Sequence, residues 1–247
     1  MNRRVGTVTA VRDETRTART LVLDVPGWPG HLPGQHVDLR LTAEDGYSAT
    51  RSYSIASASD GTQVEVTVER VPDGEVSPYL TGQITAGTPL ELRGPLGGWF
   101  VWRPEQPEPV QLVGGGSGMV PLMAMLRTRQ QTGARAAFRM LCSARDPGSF
   151  LYREELGRLT DPDGRKNRPR LTVAWTRTTP EGEKRPPGRV DAALVSEVTW
   201  PADREPTCYV CGPTGFVETV ADLLVAAGHD PARIRTERFG PTGGARP

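Results

Sequence analysis

Two rhythms of apolar and polar positions divide the chain. Up to about residue 100, short runs alternate apolar with polar residues or are rich in Val, Leu and Thr: residues 3–14, 17–27, 35–42, 50–57, 63–71 and 88–94. Gly, Pro and Asp punctuate them about every dozen residues, which predicts an antiparallel barrel or sandwich. A short helix is expected at EVSPYLTGQI, residues 75–84.

WRPEQPEP, residues 102–109, carries three prolines in eight positions and is the best linker candidate in the chain. Beyond it, strand-like stretches 109–113, 138–145, 171–177 and 206–212 alternate with helical stretches 121–133, 150–159, 190–198 and 215–228. Strands alternating with helices predict parallel pairing through crossovers, a doubly wound α/β sheet. The expected architecture is therefore a two-domain chain, a β-barrel over 1–104 and a nucleotide-binding-like α/β domain over 105–247. DPDGRKNRPR, residues 161–170, reads as a mobile surface loop.

Composition narrows the field. Thirty Lys+Arg balance 29 Asp+Glu, so charge suggests neither nucleic acid nor an anionic membrane as partner. No apolar run approaches the roughly 18 residues of a membrane span, and charges near the N-terminus come too early for a signal peptide. The expectation is a soluble, cytoplasmic protein, its oligomeric state open. Three cysteines cannot by themselves hold a thiolate-bound iron–sulfur cluster, which takes four, and do not make a disulfide framework.

In LVGGGSGMVP, residues 112–121, a strand breaks into glycines and restarts as a helix. Glycines let backbone approach a ligand closely, and the helix start offers free N–H groups. No Gly-Lys-Ser/Thr follows, so this is not a Walker loop, and the third glycine of the dinucleotide fingerprint is missing. The next strand ends in Arg145 and the one after in Arg177, guanidiniums suited to a 2′-phosphate.

In the first half, Arg51-Ser52-Tyr53-Ser54 combines an anion-binding fork, hydroxyls and an aromatic ring, with Arg51 and Tyr53 on one strand face. Gly74 and Ser77 fall at an expected helix start, where N–H groups and a hydroxyl suit a pyrophosphate. Cys208 and Cys211 form a C-x-x-C on a strand, where side chains three apart point to opposite faces. That disfavours a redox pair or a zinc site. Cys142 and Cys208 are expected in the core. His36 and Trp99 are expected as packing residues.

Taken together, these stretches resemble the ferredoxin–NADP reductase superfamily. Residues 51–54 match its R-x-Y-S flavin signature and Gly74-Glu75-Val76-Ser77 its second flavin motif. Residues 94–97 match the turn that closes its barrel. Gly115-Gly116-Ser117-Gly118-Met119-Val120-Pro121 matches its nucleotide loop, and Cys211-Gly212-Pro213 its C-G-P motif. The resemblance implies a flavin on the barrel, NAD(P)H on the α/β domain, and hydride passing between them. It implies that Arg51 binds the flavin phosphate and that Tyr53 stacks on the ring, with Ser52 alongside. Ser54 would sit beside the reactive nitrogen, and Gly74 and Ser77 at the pyrophosphate. Gly115, Gly116, Ser117 and Gly118 would bind the dinucleotide, with Gly212 and Pro213. Cys211 would lie near the nicotinamide, and Arg145 and Arg177 would hold an adenosine phosphate. Glu237 is either a proton relay or orienting group, or a plain surface carboxylate. Val120 stands where many members carry Thr. Glu237-Arg238-Phe239 matches the spacing of the plant-type terminus, whose aromatic covers the flavin, but the chain continues through GPTGGARP.

The implied cofactors are FAD, with FMN as alternative, and NADPH, with NADH as alternative. The implied partner is a separate electron acceptor, a ferredoxin or an oxygenase component. A flavin reductase that releases reduced flavin and a non-catalytic nucleotide-binding regulator remain as rival readings.

Overall fold

The computed structural model describes residues 3–161 and 168–240. Most of the loop expected at 161–170 and the tail after residue 240 lie outside the described residues. The chain forms two compact units. One holds the chain up to Arg103 together with Met123–Thr132. The other holds Pro104–Leu122 and the chain from Gly133 onward.

The first unit is a six-stranded antiparallel sheet: β1 (Arg4–Thr15), β2 (Ala18–Asp24), β3 (His36–Thr42), β4 (Ser48–Ser54), β5 (Gln63–Glu69) and β6 (Pro89–Leu96). The strand order is β4-β3-β6-β1-β2-β5, and an antiparallel bridge between Ile55 and Val66 joins the outer strands. The alternating sequence explains this shape. In β1 the buried positions Gly6 and Val8 alternate with exposed ones, as in a sheet with one wet face. The inward residues, among them Leu21, Leu23, Val37, Leu39, Val64, Val66 and Leu92, make one apolar core. Helix α1 (Ser77–Gly82) contributes Leu80 to it; the helix is shorter than the sequence suggested because Val76 and Gln83 already flank its ends.

The second unit is a five-stranded parallel sheet of β7 (Val110–Gly115), β8 (Phe138–Ala144), β9 (Arg170–Trp175), β10 (Thr207–Pro213) and β11 (Ile234–Phe239), in the order β11-β10-β7-β8-β9. Its helices are α3 (Arg153–Leu159), α4 (Ala192–Val198) and α5 (Thr214–Ala226); α2 (Met119–Thr132) starts in it, and from Met123 on that helix is grouped with the first unit. All six residues of β7 and the first six of β10 are buried, as expected of central parallel strands covered on both faces. Strand β11 was not foreseen: of its residues only Ile234 is buried, and it forms the sheet edge. The order matters for function. From β7 the chain winds one way through β8 and β9, then returns to the other side of β7 with β10, so the order reverses between β7 and β10. Open α/β sheets bind ligands at such a reversal, outside the C-terminal strand ends.

Candidate functional site

The glycine loop and the C-G-P motif both lie at this reversal. Gly114 and Gly115 end β7, Cys211, Gly212 and Pro213 end β10, and Gly114 is paired in register with Cys211. After Gly115, residues Gly116–Gly118 make a tight 3-10 turn into α2, and Gly116 adopts φ 56°, a left-handed conformation that costs glycine little. Gly118 lies against the backbone of the C-G-P turn. A Cβ there would run into the Cys211 carbonyl and come within 2.7 Å of Gly212 N. A Cβ on Gly115 would meet the Phe216 ring at 2.9 Å, and one on Gly212 the same ring at 2.8 Å. Phe216, near the start of α5, thus packs against both loops. The contact with Gly115 joins residues about a hundred positions apart, so no local pattern marks it. Gly116 is exposed and Ser117 half-buried, the two loop residues that face outward.

Cys211 is fully buried, and its thiol lies 3.9 Å from Glu237 Oε2 on the neighbouring strand, with which it is in register. Burial pushes the Glu237 carboxyl up to about 7, the thiol's hydrogen bond opposing that only in part. Burial, with the carboxylate beside it, also pushes the Cys211 thiol well above its ordinary value, so it stays protonated. Glu237 is half-buried, and the pair can take up and release a proton near neutral pH while the thiol stays neutral. Phe239 is half-buried and in register with Pro213. Cys208 turns elsewhere, into the core, with its thiol 3.9 Å from His229 Nδ1. The two cysteines of C-x-x-C have separate partners.

Arg145 and Arg177 follow the ends of β8 and β9, both exposed, and the Arg177 N–H donates to the Arg145 carbonyl at 2.9 Å. The structure thus brings these two arginines side by side along the C-terminal edge of the sheet.

On the barrel, Arg51, Ser52, Tyr53 and Ser54 close β4. Leu39 and Val37 of β3 oppose Arg51 and Tyr53, and both are fully buried. Tyr53 accordingly packs its ring against the barrel core while remaining half-buried, and this desolvation raises its phenol to about 12. Arg51 emerges into solvent, donating to Glu75 Oε2 at 2.9 Å and to the Thr50 carbonyl at 2.8 Å. Ser52 points the other way and donates to Asp38 at 2.7 Å. Gly74 has a reason to be glycine: a Cβ would lie 3.1 Å from both Ser77 Oγ and the Val71 carbonyl. Ser77 Oγ accepts the Val71 N–H at 3.0 Å, closing the turn and leaving the hydroxyl proton free to donate. Glu75, Tyr47 and Tyr79 line a cavity of about 700 Å³ floored by Leu41, Ala49 and Leu90. These features fit a flavin dinucleotide: a guanidinium for phosphate, a ring-stacking phenol, a hydroxyl donor and an adjoining space.

His36 packs beneath Gly97, at 3.3 Å from where a Cβ would be. Trp99 differs from expectation: it is 62% exposed.

The family described as an oxidoreductase FAD-binding domain matches residues 6–101, and the oxidoreductase NAD-binding domain matches residues 112–222. The chain is 33% identical over 239 residues to the glycine betaine monooxygenase reductase subunit of Chromohalobacter salexigens, covering 94% of this chain and 63% of that protein. It is 27% identical to the naphthalene 1,2-dioxygenase system ferredoxin–NAD(P)(+) reductase component of Pseudomonas putida, covering 96% and 69%. Among solved structures, the FAD/NAD-binding domain of nitric oxide dioxygenase from Vibrio cholerae superposes with a TM-score of 0.85 at 26% identity, covering 96% and 99%. The chain spans about half to about two thirds of the length of the first curated relatives it matches.

Proposed function

Because this chain belongs to the ferredoxin–NADP reductase superfamily, we propose that it is an oxidoreductase taking hydride from cytoplasmic NAD(P)H. Its electrons go singly to a separate acceptor, a ferredoxin or an oxygenase component. The reading is carried by the meeting of the glycine loop and C-G-P at the reversal of the parallel sheet, in a chain whose other unit presents Arg51 and Tyr53 on one strand. The relatives named as reductase components of oxygenase systems support the choice of acceptor.

The chemistry that flavin supplies when bound is acceptance of a hydride and release of electrons one at a time. Arg51 would hold its phosphate as a charge-assisted fork, Tyr53 would lie against the ring, and Ser54 would offer its hydroxyl beside it. Ser77 would donate to the pyrophosphate. The cavity beside Glu75 offers room for an adenosine half, which supports FAD over FMN. Gly116 and Ser117 would present backbone and hydroxyl groups to the dinucleotide. Arg145 and Arg177 would take a 2′-phosphate and favour NADPH. Cys211 and Glu237 would border the nicotinamide, with Glu237 holding a proton below pH about 7.

The test is an absorption spectrum of the purified protein, then anaerobic titration with NADPH and NADH after reconstitution with FAD. Bleaching of the flavin bands, followed by reduction of a one-electron acceptor, is expected. Colourless protein that leaves NADPH unoxidised after reconstitution would defeat the reading. Release of reduced flavin is a second reading, favoured by the pairing of Arg51 with an anion of its own chain. The dependence of rate on added flavin separates the two, since an electron-transfer reductase saturates at one FAD per chain whereas a flavin reductase turns over excess flavin as substrate.

A further inference from the structure

Arg51 already has an anion on its fork. Its Nη2 donates to Glu75 Oε2 at 2.9 Å, while Glu75 Oε1 accepts the Tyr47 hydroxyl at 3.1 Å. The two charged side chains are half exposed, at 53% and 52%; beyond each other, Arg51 is held by the Thr50 carbonyl and Glu75 by the Tyr47 phenol. A carboxylate on a guanidinium offers it the same kind of partner that a phosphate does, two oxygens carrying negative charge. Glu75 also belongs to the same segment as Gly74 and Ser77, so it cannot move far from a ligand bound there.

We propose that Glu75 is a built-in competitor for the flavin phosphate, making flavin binding an exchange of one anion for another and the cofactor easily lost. This rests on the reading that Arg51 is the flavin phosphate site. The physical case has two sides. An exposed ion pair is weak, so the pair opens readily. Once displaced, the Glu75 carboxylate stays tethered within reach of the Arg51 guanidinium and re-forms the pair whenever the phosphate leaves. Tyr47 returns it to Arg51 by donating to its second oxygen. A residue that supported the cofactor would weaken binding when removed. Glu75 does the reverse.

The experiment measures FAD affinity on flavin-free protein by quenching of flavin fluorescence, with the dissociation rate followed after dilution. The proteins are wild type, Glu75→Gln, Arg51→Ala and the double variant, each at low and high salt. Glu75→Gln is expected to bind FAD about five- to tenfold tighter and to release it correspondingly more slowly. The gain should shrink at high salt and vanish when Arg51 is already Ala, because the two residues then share nothing to compete for. Equal or weaker binding by Glu75→Gln, with wild type binding FAD, overturns the competitor and leaves the flavin reading standing. A gain that persists without Arg51 overturns it too, since Glu75 would then act as a diffuse surface charge. If no form binds FAD, the flavin reading itself fails.

Discussion

The cluster on the barrel is built from side chains, whereas the cluster on the parallel sheet is built from backbone. Arg51, Tyr53 and Ser54 sit on ordinary extended strand, and apart from the Tyr53 ring, which packs on the core, the chain around them would fold much the same with other residues there. At the β7–β10 reversal, Gly115, Gly118 and Gly212 allow two turns and one aromatic ring to occupy the same small volume. The first kind of site is sensitive to charge and tolerant of shape. The second is sensitive to volume, and a single methyl group reaches main-chain atoms that cannot rotate away.

Gly118→Ala should therefore have the largest effect of any change considered. Its Cβ would strike the Cys211 carbonyl and approach Gly212 N, both backbone. Overpacking without a flexible neighbour places it in the range above about 4 kcal/mol, seen as loss of folded protein or a melting temperature lower by roughly 10 °C. A variant that melts like the wild type would show that the turn has slack, and would blur the contrast between the two clusters.

Arg51→Ala probes the other side of the comparison. The guanidinium is about half exposed, so melting should hardly change. Flavin affinity should fall by about 30-fold, the loss of one strong charge-assisted interaction with phosphate. Large destabilisation with affinity intact would reverse the roles argued for this residue.

Gly115→Ala lies between these cases, because its added methyl meets a ring rather than backbone, 2.9 to 3.1 Å from three Phe216 atoms. A ring can give way. The expected cost is about 1–3 kcal/mol, and Phe216→Leu in the same chain should recover part of it. Two losses that simply add would mean that ring and glycine do not share the space.

These contrasts explain what could be read beforehand. The barrel strands were legible because one face is wet and the sequence alternates. The α/β order was legible from the spacing of strands and helices. Strand β11 was not, since IRTERF buries a single residue at a sheet edge and carries almost no apolar pattern. RSYS and C-G-P were visible because local spacing defines them. Glu75 on Arg51, 24 positions away, and Phe216 under Gly115 were not, because long-range contacts decide them. Trp99, expected as a packing residue, is 62% exposed, and no local pattern marks that.

A pH-dependent effect tests the backbone-built site most directly. Burial raises the Glu237 carboxyl from its ordinary 4.5 to about 7. The folded chain then binds this proton more tightly than the unfolded chain, so the associated stability is fully present below about 4.5 and is lost as pH rises through about 7. Glu237→Gln keeps the shape and cannot ionise. Its melting temperature, measured against pH, should gain on the wild type across that window and run parallel to it above. The Cys211 thiol stays protonated throughout the window and contributes no slope of its own. Wild-type and variant curves that run parallel from pH 4 to 8 would mean the carboxyl titrates at its ordinary value in the folded chain. The sheet site would then present a fixed negative charge to the nicotinamide where the structure argues for a held proton.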